Sequence, residues 1–183
     1  MPTAMTKGTE CDAVAYFTPL HITFLLVTLI SASLPFLILA YSSRKWVRSL
    51  QKSALSPSGT AQAALWSFIF ITLGHLLYYL SQTLGTPRKT NSILLFLSIC
   101  LILLLTVIWA CVCLGRKRLD YALTVMVILQ ATSSAAFVLA CQGPLWIQLV
   151  LGVALGWITN CLYINVVLVI LNHPQSKMKG KAK

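Results

Sequence analysis

Between Asp120 and Lys177 the chain runs for 56 residues without a Lys, Arg, Asp or Glu. Soluble domains carry about 25% charged residues, so a segment this long and this uncharged has no water-facing surface. It is also too long for one bilayer crossing, which takes about 20 apolar residues in a helix. Gln142-Gly143-Pro144 supplies a turn within it. The sequence therefore predicts two membrane-spanning helices here, at about 120–141 and 145–172.

Three more apolar runs precede them, at about 20–41, 61–82 and 92–114. The expected fold is all-α: a polytopic membrane protein with a bundle of five transmembrane helices. It comprises a polar N-terminal segment (1–18), the transmembrane domain (19–173) and a basic tail (174–183). The first 18 residues lack the basic start and cleavable apolar core of a signal peptide. The runs are continuous, without the alternation of an outer-membrane barrel. Across all 183 residues, 58% are apolar and 9% charged, which argues against a soluble enzyme, a disordered chain or a disulfide scaffold.

The net charge of +11 has a positional explanation. The linkers after the first and third runs, together with the tail, hold 11 of the 14 Lys and Arg residues. Basic residues gather on the cytoplasmic side of membrane proteins, so the C-terminus is expected in the cytosol. Orientation, rather than nucleic-acid binding, accounts for the excess. The six cysteines have no metal-ligand spacing, and Cys111 and Cys113 point to different sides of a helix.

Catalytic machinery is scarce. No span carries an acid or a Lys/Arg in its interior; Asp120 stands at a span's start beside Arg118, as an interfacial helix-start acid would. Ion-coupled carriers and proton pumps need intramembrane charge. The HExxH, P-loop and GxSxG motifs are absent from the sequence. His75 is the histidine well inside a span; an interhelical hydrogen bond is the favoured role, haem ligation the alternative. Gln130, Thr132, Ser133, Ser134, Asn160 and Asn165 also fall within spans, where they either hydrogen-bond between helices or line a cavity.

Tryptophan is the informative residue. Trp46 and Trp146 fall near span ends, where indoles anchor helices. Trp66, Trp109 and Trp157 fall inside three different spans. Interior indoles offer flat faces for a planar ligand and one N–H donor each. Trp66, Phe70 and Gly74 share a helix face, as do Trp157, Cys161 and Asn165. Gly74 would let a second helix or a flat ligand approach closely.

These residues carry a resemblance. From Trp46 the chain reads W-x3-L-x-K-x4-P-x8-W-x7-G through Leu50, Lys52, Pro57, Trp66 and Gly74, and the last span reads W-x7-N-x5-L-N through Trp157, Asn165, Leu171 and Asn172. Both resemble, in register, patterns of the translocator protein/tryptophan-rich sensory protein (TspO/MBR) family, and Trp109 falls where that family has a third-helix Trp. The chain departs from the family pattern at Ser58, Thr60, Thr106, Cys113-Leu114 and Val153-Ala154, the mark of a divergent member.

The resemblance implies a five-helix receptor or translocator that binds a planar hydrophobic ligand, porphyrin, haem or sterol, with no cofactor required. Its candidate ligand-binding positions are Trp46, Pro57, Trp66, Gly74, Trp109, Trp157 and Asn165, with Lys52 placed to meet an anionic group. The family's cholesterol motif after Tyr163 is missing, whereas Arg118-x2-Tyr121-x-Leu123 fits the reversed pattern. The expected partners are a tetrapyrrole or sterol, the lipid bilayer and, in a homodimer, a second copy; nucleic acid is not expected. Lys179 and Lys181 are spaced as in a dilysine retrieval signal, so the expected location is the endoplasmic reticulum or the mitochondrial outer membrane. The rival readings are a non-binding assembly factor and a weak porphyrin-modifying enzyme.

Overall fold

The computed structural model describes residues 19, 21–26, 28–30, 41, 44–51, 59–83 and 89–172. The polar N-terminal segment, much of the first span, Lys52, Pro57 and the tail with Lys179 and Lys181 lie outside them. Most of the described residues are helical, with no strand among them. In chain order the helices are α1 (His21–Ile30), then α2 (Arg44–Ser49), α3 (Gly59–Thr83), α4 (Lys89–Ala110), α5 (Leu119–Ala140) and α6 (Leu145–Asn172).

Helices α3 to α6 are each long and apolar enough to cross a membrane. Long aliphatic and aromatic side chains stand on their outer surfaces: Phe68, Leu97, Leu104, Val138 and Leu149 are all more than half exposed. Water would not tolerate that surface, whereas lipid tails solvate it. A helix apolar on all sides belongs in a membrane or a deep core. The molecule is an integral membrane protein.

Four helices form a closed ring in which α3 packs on α4, α4 on α5, α5 on α6 and α6 on α3. The inward seam of α5 is Ala122, Met126, Leu129, Ser133, Ala136 and Ala140. That of α6 includes Ile147, Leu151, Ala154, Ile158 and Cys161. Both advance by four and three residues alternately, the spacing of knobs-into-holes packing between nearly parallel helices. Small residues on these seams let backbones approach closely, which matters where lipid gives helices little hydrophobic drive to associate. Leu76, Ile99, Met126, Leu129 and Ile158 are fully enclosed at the centre.

Breaks in the ring follow local chemistry. Pro144 follows α5 and precedes α6, and its carbonyl accepts from the Ile147 N–H at 3.1 Å. At the other end of the bundle α4 widens into a π-turn, Cys111–Gly115, closed by the Arg116 N–H donating to the Cys111 carbonyl at 3.1 Å. Lys117 then takes a left-handed conformation, φ 57°, and the chain reverses into α5. The Arg118 guanidinium pairs with Asp120 at 3.0 Å and lies 4.5 Å above the Tyr121 ring, so the acid serves the helix start.

Helix α1 rests on α3. A Cβ added to Gly74 would lie 3.0 Å from both Cβ and Oγ1 of Thr28. The glycine thus makes room for the neighbouring helix, and that close approach is the one the structure displays. Replacing Gly74 with leucine should force α1 off α3 and cost about 1–3 kcal/mol, the usual toll of overpacking. Thermal unfolding in detergent, read by thiol-dye labelling of the buried Cys113 and Cys161, checks this; an unchanged midpoint would show that α1 does not dock there.

Candidate functional site

The indoles expected inside three spans meet at one place. Trp66 of α3, Trp109 of α4 and Trp157 of α6 form a cluster around Trp66. The Trp66–Trp109 pair is stacked with ring centroids 6.2 Å apart; the Trp66–Trp157 pair is edge-on, also at 6.2 Å. Phe70, one turn along α3, stacks on Trp66 at 5.5 Å. Such separations are those at which ring quadrupoles attract. Trp66 and Trp109 are buried, and Trp157 is half-buried.

Asn165 joins this cluster. Its Oδ1 accepts a hydrogen bond from Trp109 Nε1 at 3.2 Å, and its Nδ2 donates to the Cys161 carbonyl at 2.8 Å. The buried amide therefore ties α4 to α6 and fixes the Trp109 ring. Trp157 Nε1 is buried and has no hydrogen-bond acceptor among the described residues. An enclosed, unpaired donor is costly, and it belongs to the indole that meets Trp66 edge-on.

Gly74 lies under Thr28 of α1. Trp46, on the short helix α2, packs part-buried against the core. The linker that follows is held by Asn172. Its Nδ2 donates to the Gln51 carbonyl and its Oδ1 accepts from the Gln51 N–H, each at 3.1 Å. One side-chain amide thereby satisfies both backbone groups of a residue 121 positions earlier.

A second polar centre was not foreseen in full. His75 has the expected interhelical hydrogen bond, and its partner is His21: the two imidazoles meet Nε2 to Nδ1 at 2.8 Å. His21 is buried and stacks on Tyr78 with ring centroids 4.3 Å apart. Trp146 lies 6.1 Å from the His75 ring and edge-on to Tyr79 at 4.9 Å. From the sequence His21 is only a polar residue at a span end. Its pairing joins residues 54 apart, beyond the reach of helical periodicity. Among the described residues, no group of three or more His, Cys, Asp or Glu side chains could hold a metal ion.

Two of the span hydroxyls bond within their own helix. Thr132 and Ser133 donate to carbonyls of their own helix, Ile128 at 2.9 Å and Leu129 at 2.8 Å. A hydroxyl that folds back in this way is satisfied without a partner helix. Gln130 does cross, donating to Thr159 Oγ1 at 3.0 Å.

A bundle of membrane-length helices with an indole cluster in its interior defines an integral membrane protein with an aromatic core. The model of the TspO/MBR family matches residues 23–171, and the chain belongs to that family. A comparison with curated proteins finds no match. Membership of this family and the membrane-spanning helices support a receptor- or translocator-like role in the membrane.

Proposed function

We propose that the protein binds a planar hydrophobic ligand, a tetrapyrrole or a sterol, at the indole cluster. The observation that carries this reading is the buried Trp157 N–H without an acceptor among the described residues, on an indole that packs edge-on to Trp66. A ligand carboxylate, carbonyl or hydroxyl reaching that donor would remove its penalty while the rings supply apolar contact. Trp157 is the half-buried member of the cluster, so it is the side chain best placed to turn aside as a ligand enters from the α3–α6 seam. Asn165, already bonded to Trp109, would hold the opposite wall in place. In this reading α1 belongs to the first of five crossings and the C-terminus is cytosolic. Lys52 would meet an anionic group of the ligand and Pro57 would contribute to its binding, and Lys179 and Lys181 would direct the protein to the endoplasmic reticulum, the mitochondrial outer membrane being the alternative.

Purified protein titrated with protoporphyrin IX should show saturable quenching of Trp fluorescence. Trp157→Phe keeps an aromatic ring but deletes the donor, and should weaken binding about tenfold, equivalent to about 1.4 kcal/mol. Quenching that never saturates, or that is indifferent to Trp157→Phe, would defeat the proposal. It would leave the reading favoured by the mutual stacking of the rings, an aromatic core that only holds the bundle together. The same titration with cholesterol as competitor distinguishes the two ligand classes.

A further inference from the structure

Helices α1 and α3 meet through two imidazoles. His21 Nε2 and His75 Nδ1 stand 2.8 Å apart, with the ring planes tilted by 42°. At that separation one nitrogen carries the hydrogen and the other offers its lone pair. The hydroxyls of Thr23 and Thr28 donate instead to the Pro19 and Phe24 carbonyls, at 2.8 and 2.7 Å, so their hydrogens are spent within α1. Aromatic contact flanks the imidazoles: Tyr78 stacks on His21, and Phe24 meets Tyr78 edge-on at 6.1 Å.

The two rings differ in access. His21 is 3% exposed, whereas His75 is exposed on the outer surface of α3. A proton therefore reaches the pair through His75. The pair lies toward the end of the bundle opposite Arg116, Lys117 and Arg118. Helix α3 ends about two turns beyond His75, at Thr83, and Trp146 in the first turn of α6 lies against the His75 ring. Around the pair, α3 presents the phenols of Tyr78 and Tyr79, and α6 presents Trp146, which does not titrate. At the same end α4 opens with Lys89 and α5 closes at Cys141. None of these side chains is a carboxylate. Among the described residues the acid is Asp120, which starts α5 at the opposite end and is already paired with Arg118.

We propose that the His21–His75 pair is a proton-binding site whose occupancy sets the docking of α1 on α3. The neutral pair holds one hydrogen in its bridge. One added proton leaves an imidazolium donating to an imidazole, and the bond survives. A second leaves a hydrogen on both bridging nitrogens, no lone pair between them, and two positive charges face to face. No described carboxylate stands by to offset those charges. Acid thus turns the attraction between the helices into repulsion, and α1 leaves the face of α3 on which Gly74 makes room for Thr28. Histidine suits this role because its ordinary titration, at about pH 6.5, falls within the range of cellular compartments. The response is independent of ligand binding at the indoles.

Full-length protein carrying 3-fluorotyrosine, reconstituted in phosphatidylcholine vesicles doped with a nitroxide-bearing phosphatidylcholine, reads the docking by fluorine relaxation. Tyr78→Phe and Tyr79→Phe assign the two resonances. Docked α1 shields Tyr78 from the nitroxide, and protonation alone does not change its distance from lipid. Acidification from about pH 7.5 to 4.5 brackets the ordinary histidine value. Over that range the wild-type Tyr78 relaxation rate is expected to at least double, reversibly. Tyr79, held edge-on to Trp146, and Tyr163, exposed on α6, should keep their rates. His75→Gln retains a side chain that accepts from a charged His21, and should hold the neutral-pH rate at Tyr78 throughout. His21→Gln should do the same, and provides a second variant if the first fails to fold; a wild-type Tyr79 rate before acidification identifies the folded protein. A wild-type Tyr78 rate that stays flat, or one that rises equally in the glutamine variants, overturns the proposal. So does a parallel rise at Tyr79, which would mean a general loosening of the bundle.

Discussion

Trp66→Ala is expected to be among the most destabilising single substitutions in the protein, lowering stability by about 3 kcal/mol. Trp66 is 2% exposed and touches rings from α3, α4 and α6. In a bilayer, transfer of apolar surface from water contributes little, so the loss arises from the cavity and the forfeited dispersion contacts. Removing the indole takes away the common neighbour of Trp109 and Trp157, which do not replace it for each other. The thiol-dye melt in detergent should shift down by several degrees. Trp66→Phe, which retains a ring, should recover more than half of that shift. A Trp66→Ala protein that melts with the wild type would mean that the cluster does not hold α3, α4 and α6 together.

The second large effect is expected at the histidine pair. His75→Phe removes the hydrogen bond to the buried His21 imidazole and should cost about 1 kcal/mol, the usual net contribution of such a bond. His21→Phe should cost a similar amount. Each single substitution removes the same hydrogen bond, so the double substitution should cost clearly less than the two singles combined. A double-mutant cycle measures that coupling directly. Strict additivity would show that the 2.8 Å contact adds nothing to the docking of α1 on α3.

The two centres differ in how openly the sequence announces them. The transmembrane helices from α3 onward are legible because each apolar run has the length of a bilayer crossing and is interrupted by turn residues such as Gly143 and Pro144. Periodicity likewise places Trp66 with Phe70 on one face of α3, and the structure stacks them. What the sequence does not encode locally is which faces meet. The Trp109–Asn165 bond spans 56 positions and the His21–His75 bond 54; both depend on the order of helices around the ring. Gly74 illustrates the same limit. Its spacing from Trp66 is as suitable for a ligand as for a helix, and only the path of α1 places Thr28 above it. The roles of Thr132 and Ser133 were decided by a local competition, between a bond to their own helix and one across to another, and the short intrahelical bond prevails.

The grip of Asn172 on Gln51 bears on the order in which the protein is made. Synthesis runs from the N-terminus, so Gln51 leaves the ribosome long before the residue that will fasten it, 121 positions later. Until α6 is complete, neither backbone group of Gln51 has the amide that secures it. The linker after α2 therefore receives this tether only as the last described helix is inserted, and the final residue of α6 acts as the latch on the bundle's earliest loop.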